Sequence, residues 1–358
     1  MIVPRPALEV RPDLAGVAPY LSPQLVAAHR MNTNESPYPP PPALVAELLM
    51  ELGSVALNRY PDRDATGLFE ALAAHAEWSP EGLWIANGSN EVLMHLFLAF
   101  GGPGRTVLVF EPTYALHTLI PKIAGTGVMN ATRAESWRID LDTAAGIVAE
   151  RRPEIVMLCS PNNPSGGTEP LDTVRALLEE APGIVVVDEA YAEFAPRDDS
   201  VRALLSEHSN LIIVKTFSKA WSLAGARIGY LLGDPLLIRA LTRVRLPYHL
   251  SALTQTAALV ALRHSEAILS SVERIVAERE RISVELQAMG VKTFPSRANF
   301  VLFQIDDAPG VWEGLLSKGV LVRNYSDHEG MRNCLRVTAG LPEETTAFLR
   351  AMSEILDD

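Results

Sequence analysis

The sequence predicts an α/β protein in three parts: an extended N-terminal arm over residues 1–42, a large domain over 43–247 with a mainly parallel sheet covered by helices, and a smaller α+β C-terminal domain over 248–358. Three observations carry this expectation. Short strands that are apolar on both faces alternate with helical stretches through much of the chain, the pattern of parallel strands buried between helix layers. The texture changes after Pro247, where a long helical stretch is followed by only a few strands. The first segment ends in Pro-Tyr-Pro-Pro-Pro-Pro at 37–42, which opposes packed helices and favours extended chain.

Taken in order, the arm must lie on the rest of the protein. Apolar runs at 83–86, 106–110, 154–159, 184–188, 211–214 and 227–232 supply the strands of the large sheet. In the smaller domain a helical stretch from 251 toward 289 leads to strands at 299–303, 320–323 and 334–338, with a helix near 311–317 and a closing helix from Pro342. Gly-Gly-Pro-Gly at 101–104 follows a helix and precedes a strand, the wrong order for a nucleotide-binding glycine loop, and reads as a turn.

Of the 358 residues 48% are hydrophobic and 21% charged, as in ordinary globular proteins, and the formal net charge is -12. That field repels polyanions and argues against general binding of nucleic acid or anionic membrane. No apolar run is long enough to span a bilayer, and the N-terminus lacks a basic start followed by an apolar stretch, so a cytoplasmic protein is expected. Cys159 and Cys334 match no metal-binding spacing, and reduced thiols with no metal site are expected.

The chemistry concentrates where the strand at 211–214 runs into Lys-Thr-Phe-Ser-Lys. Lys219 follows two hydroxyls, Thr216 and Ser218, and Arg227 comes eight positions later. An amine suited to a Schiff base beside hydroxyl donors and a fork-shaped cation suits pyridoxal 5′-phosphate. Asn-Gly-Ser-Asn-Glu at 87–91 opens a helix, so Ser89 and Asn90 either seat the phosphate on free backbone N–H groups or simply cap the helix. Asp188 ends its strand, where it can pair with a protonated pyridine nitrogen and strengthen the ring as an electron sink. Tyr191 and Asn163 can reach a ring hydroxyl, and Tyr114 can stack on the ring face. Arg323 and Arg336, at strand ends in the smaller domain, suit the anionic end of a substrate.

Asn-Pro-Ser-Gly at 163–166, Asp188-x-x-Tyr191, and Ser218-Lys219 with Arg227 resemble the fold-type-I pyridoxal-phosphate aminotransferases. Met31-Asn-Thr-Asn-Glu-Ser-Pro37, Arg59-Tyr-Pro-Asp62, Ala86-Asn-Gly-Ser-Asn-Glu91, Arg245-Leu-Pro-Tyr-His-Leu-Ser251 and Asn333-Cys-Leu-Arg-Val-Thr338 narrow the resemblance to the histidinol-phosphate aminotransferase family, from about Pro19 to the C-terminus. The resemblance implies that Lys219 carries the cofactor and that Asp188, Tyr191, Asn163 and Tyr114 contact its ring. It implies a phosphate seat of Ser89, Asn90, Thr216, Ser218 and Arg227. It further implies a homodimer in which Tyr60 reaches the neighbouring subunit's cofactor phosphate, and a substrate site drawn from Tyr20, Asn34, Arg323 and Arg336. The implied reaction is a ping-pong transamination between histidinol phosphate and 2-oxoglutarate, giving imidazole-acetol phosphate and glutamate, in L-histidine biosynthesis. Asp327-His-Glu-Gly-Met after the Arg323 strand and Trp221-Ser-Leu after the lysine depart from the family pattern. Aromatic amino acid transamination, phosphothreonine decarboxylation and a non-catalytic cofactor-binding module remain open alternatives on the same residues.

Overall fold

The computed structural model describes residues 10–18, 25–328 and 330–357. Tyr20 lies outside the described residues. After a short strand β1 (His29–Arg30), the chain builds a seven-stranded sheet from β2 (Leu83–Ala86), β3 (Thr106–Glu111), β4 (Gly127–Thr132), β5 (Ile155–Cys159), β6 (Ile184–Asp188), β7 (Leu211–Thr216) and β8 (Gly229–Gly233). The spatial order is β2-β8-β7-β6-β5-β3-β4. Strands β4, β3, β5, β6 and β7 run parallel, and β8 is inserted antiparallel between β7 and β2.

Every residue of β5, β6 and β8 is buried, as strands covered on both faces require. Successive residues feed opposite layers: Val185 and Val187 pack in one apolar cluster, Ile184 and Val186 in the other. Burying each such side chain contributes about 1.5–3 kcal/mol, so these central strands are the stiffest platform available for a site. Edge strand β4 was not expected from the sequence. Only Ala131 of its six residues is buried, so Gly-Val-Met-Asn-Ala-Thr carries no apolar run to announce it.

The strand expected at 227–232 begins two residues later, at Gly229. Arg227 instead ends a short 3₁₀ turn in the left-handed region, with φ of 56°. The helical stretch after 251 is divided into Ala252–Arg263, Ser265–Leu269 and Ser271–Ala288.

A second, four-stranded antiparallel sheet contains β9 (Lys292–Thr293) and β10 (Phe300–Gln304). A two-residue strand β11 (Val320–Leu321) follows outside this sheet, and β12 (Arg323–Asn324) and β13 (Cys334–Thr338) then complete it in the order β12-β13-β10-β9. The arm lies on this unit: β1 pairs in parallel with β11, and Thr338 N donates to Met31 O at 2.9 Å. Those contacts carry residues 32–34 past the carboxyl ends of β6 and β7, the place where open α/β sheets collect ligands. Among the described residues no helix is long and apolar enough to cross a membrane.

Candidate active site

A cavity of about 480 Å³ opens at these strand ends, a size suited to a small ligand. Lys219, Asp188, Tyr191 and Asn163 line it, as do the phosphate-seat candidates Ser89, Asn90, Thr216, Ser218 and Arg227. Tyr114, Asn34, Arg323 and Arg336 complete the set expected from the sequence, with Asn32 and Thr33 of the arm and Tyr325 of the smaller sheet. Tyr60 does not line it: the residue is 80% exposed and stacks on Tyr248, with ring centroids 4.5 Å apart.

At one end of the cavity the helix Ser89–Phe100 starts behind Gly88 with no side-chain cap. Neither Ser89 nor Asn90 caps it, so the capping alternative is removed and the first-turn N–H groups keep their capacity for an anion. Two glycines bring the rest of the seat within reach. A Cβ on Gly88 would lie 2.5 Å from Arg227 Nη2, and one on Gly229 would lie 2.2 Å from Ser89 N. From its left-handed turn the Arg227 guanidinium lies against Gly88 and donates to Ala224 O at 3.1 Å, while on the same cavity wall Thr216 Oγ1 lies 3.0 Å from Ser218 Oγ and accepts from Ser218 N at 3.1 Å. Hydroxyls, a helix N-terminus and an arginine converge here, a donor set that fits a phosphate dianion.

At the cavity floor Asp188, only 3% exposed, is held from both oxygens. Oδ1 accepts from Ala190 N at 3.0 Å, and Oδ2 lies 2.9 Å from His117 Nε2. The buried His117 ring is in turn 3.0 Å from Thr113 Oγ1 through Nδ1. Sequence reasoning missed His117 and Thr113. Their signal was the position of His117 three residues after Tyr114, one helical turn from a residue already selected. Tyr114 packs edge-on against that ring, with centroids 5.4 Å apart, and its hydroxyl reaches Asn90 Oδ1 at 3.4 Å. Sγ of Cys159 joins the His117–Asp188 pair, the ligand atoms all lying within 4.8 Å of one another. Burial raises this thiol well above its ordinary range, so it lies protonated beside the pair.

Tyr191 Oη accepts from Asn34 Nδ2 at 3.0 Å and Asn163 Nδ2 at 3.4 Å, which leaves its own hydrogen to donate. Burial raises this phenol, so it stays protonated. The Asn34 amide is engaged at both ends, its Oδ1 accepting from Thr338 Oγ1 at 3.0 Å. In this geometry Asn34 orients Tyr191.

Lys219 sits above this floor and donates to Thr33 O at 3.0 Å. Burial pushes its ammonium down to about 8, with the Arg336 guanidinium adding to the shift and Glu35 opposing it. Lys215, four residues earlier, is the contrast. Although burial disfavours its charge, Glu193 at 3.2 Å and Glu189 at 3.4 Å hold its ammonium above the usual lysine range. One lysine ties β6 to β7 as a cation; the other is poised to lose its proton.

Opposite the phosphate seat, Arg336 is 4% exposed and spends its donors on Asn163 Oδ1, on Tyr325 Oη at 3.0 Å and on Asn32 O at 2.8 Å, while its buried Nε has no partner. Arg323 is directly across from it in the β12–β13 register. An anion lying between two such guanidiniums is attracted by both. The cavity thus offers two anion seats with an amine and a carboxylate between.

A family model described as aminotransferase class I and II matches residues 29–351. Histidinol-phosphate aminotransferase of Mycobacterium marinum is 46% identical to the chain, over 98% of it and 94% of that protein. The enzyme of the same name from Corynebacterium glutamicum is 44% identical, over 98% and 97%. The crystal structure of histidinol-phosphate aminotransferase from Sinorhizobium meliloti in complex with pyridoxal-5′-phosphate superposes with a TM-score of 0.88 at 26% identity, covering 97% of each chain. L-threonine-O-3-phosphate decarboxylase from Porphyromonas gingivalis shares the fold, with a TM-score of 0.80 at 22% identity over 92% of this chain and 100% of that one. Extended, ordered matching of this kind spans both sheets and the arm, and the chain belongs to the class I and II aminotransferases and, within them, to the histidinol-phosphate aminotransferase family.

Proposed function

We propose that the protein catalyses pyridoxal-phosphate-dependent transamination between histidinol phosphate and 2-oxoglutarate, giving imidazole-acetol phosphate and glutamate, within L-histidine biosynthesis. The observation that carries this reading is the pair of opposed anion seats flanking Lys219 in one cavity. Ser89, Asn90, Thr216, Ser218 and Arg227 would hold the cofactor phosphate, Asp188 the ring nitrogen, Tyr191 and Asn163 the ring hydroxyl, and Tyr114 the ring face. Bound there, the cofactor supplies an aldehyde carbon and an electron-withdrawing ring.

The protein's residues do the rest. Lys219, its ammonium pushed down to about 8, is unprotonated in about one molecule in ten at neutral pH, far more than an ordinary lysine, and serves as nucleophile and then as the base that moves a proton from the substrate's α-carbon. Asp188, fixed by His117 and Ala190 N, keeps a proton on the ring nitrogen by charge pairing. Arg336 and Arg323 hold the anionic end of either substrate, the phosphate of one and a carboxylate of the other, in the same space. That shared grip suits a ping-pong order, in which one substrate leaves before the next binds.

The protein acts as a homodimer in this reading, with Tyr60 of each subunit at the other's cofactor phosphate. Leu49, Met50, Leu57, Tyr60 and Leu246 are large apolar side chains left exposed on the single subunit, which a second subunit would cover. Light scattering at the monomer mass would remove that part. The free thiols Cys159 and Cys334 suit a reducing cytoplasm. The reaction is tested by incubating the holoprotein with histidinol phosphate and 2-oxoglutarate and following glutamate. Absence of glutamate refutes the reading, and carbon dioxide release from phosphothreonine would favour the decarboxylase.

A further inference from the structure

Tyr325 lies just before the 327–331 segment that departs from the family pattern, and nothing in the resemblance gives it a role. Its backbone is fixed by donation of its N–H to Cys334 O at 3.0 Å, and its ring packs on Leu302, Met331 and Cys334. Both substrate arginines lie against that ring: the guanidinium carbon of Arg336 is 5.5 Å from the centroid and that of Arg323 is 5.7 Å. A ring face attracts cations, so the tyrosine ring helps to place both guanidiniums.

The hydroxyl adds a second effect. Tyr325 Oη accepts from Arg336 Nη1 at 3.0 Å, so the phenol's oxygen is engaged by the arginine and its own hydrogen is directed elsewhere. Tyr325 lines the cavity with both arginines. An anion held by the two guanidiniums therefore meets a third donor whose direction is already set by Arg336. A phosphate monoester brings three terminal oxygens and can use all three donors. A planar carboxylate brings two oxygens, and with both turned to the arginines no third oxygen is left to face the hydroxyl.

We propose that Tyr325 is a specificity residue for the phosphorylated substrate: its hydroxyl, oriented by Arg336, donates to a phosphate oxygen and raises the preference for a phosphorylated amine over a dicarboxylic amino acid. The inference rests on the reading of Arg323 and Arg336 as the substrate's anion grip. Its test is the Tyr325→Phe holoprotein, which keeps the ring between the arginines and removes only the hydroxyl. Single-turnover spectra of wild type and variant are recorded against histidinol phosphate, histidinol and glutamate. Losing one charge-assisted hydrogen bond corresponds to a weakening of about tenfold. The expected result is that loss in the apparent dissociation constant for histidinol phosphate, a several-fold smaller loss for glutamate, and little change in the limiting rate. Equal losses for both substrates would reduce Tyr325 to a support for Arg336 and overturn the proposal, as would no loss for either. The wild-type arm separates the underlying reading: if wild type itself does not distinguish histidinol phosphate from histidinol, the anion grip fails whatever the variant does. Arg336→Lys, run alongside, should lose affinity for both acids, and unchanged affinity there also refutes the grip rather than the hydroxyl's role.

Discussion

Gly88→Ala probes the proposed seat for the cofactor phosphate, because the three atoms nearest the added methyl all belong to Arg227. Gly88 has φ of 86° and ψ of 163°, a region that essentially only glycine visits, so alanine adds strain of about 1–3 kcal/mol to the free protein. Its Cβ would stand 2.5 Å from Arg227 Nη2. The guanidinium is the movable partner and yields, leaving the position from which it faces the phosphate. Losing a hydrogen bond to a charged group costs about 1.5–3 kcal/mol, or about 10- to 100-fold in cofactor affinity. The assay is titration of apoprotein with pyridoxal 5′-phosphate, followed by absorbance, for wild type, Gly88→Ala, Arg227→Ala and the double variant. Because the methyl acts through the guanidinium, the double variant should bind about as weakly as Arg227→Ala alone. Wild-type affinity in Gly88→Ala, or losses that simply add, would refute the geometry of the seat.

Lys219 gives a pH dependence of known sign. Its folded pKa near 8 lies below the ordinary lysine value, so between those limits the unfolded chain binds the extra proton and apoprotein stability rises with pH. Denaturant titrations from pH 7 to 10.5 should show that rise and should lose it in Lys219→Met, which is expected to be more stable than wild type at pH 7. Arg323→Gln removes one of the two guanidiniums proposed to hold the substrate's anion, and should weaken histidinol phosphate binding by about tenfold or more. Half-reaction affinities of variant and wild type check it.

Lys219, Asp188, Thr216 and Ser218 could be read from sequence because each sits at or beside the end of a buried apolar strand, and the strand locates them. Arg227 was selected for its charge, but its left-handed turn and the two glycines that admit it depend on how β8 packs under the 87–91 turn, which no local pattern records. His117 was hidden for a similar reason: its partner is 71 residues away, and only the register of β5 and β6 with the neighbouring helix joins them. Arg323 and Arg336 were chosen singly, whereas their meaning comes from facing one another across a strand pair. Strand β4 escaped because an edge strand exposed on one side needs no apolar run. Tyr325 carries no local signal, because its meaning comes from the two guanidiniums that lie against its ring.

The central claim is that two opposed anion seats flank one amine, so the favoured substrate is an amine carrying a phosphate. The most direct measurement is the ratio of half-reaction efficiencies of the holoprotein for histidinol phosphate and histidinol, which lacks the second anion, taken from the change in cofactor absorbance. A second charge-assisted anion contact corresponds to at least about tenfold, and the account predicts preference for histidinol phosphate by that margin or more, lost in Arg336→Lys. Equal efficiency, or preference for histidinol, would contradict it.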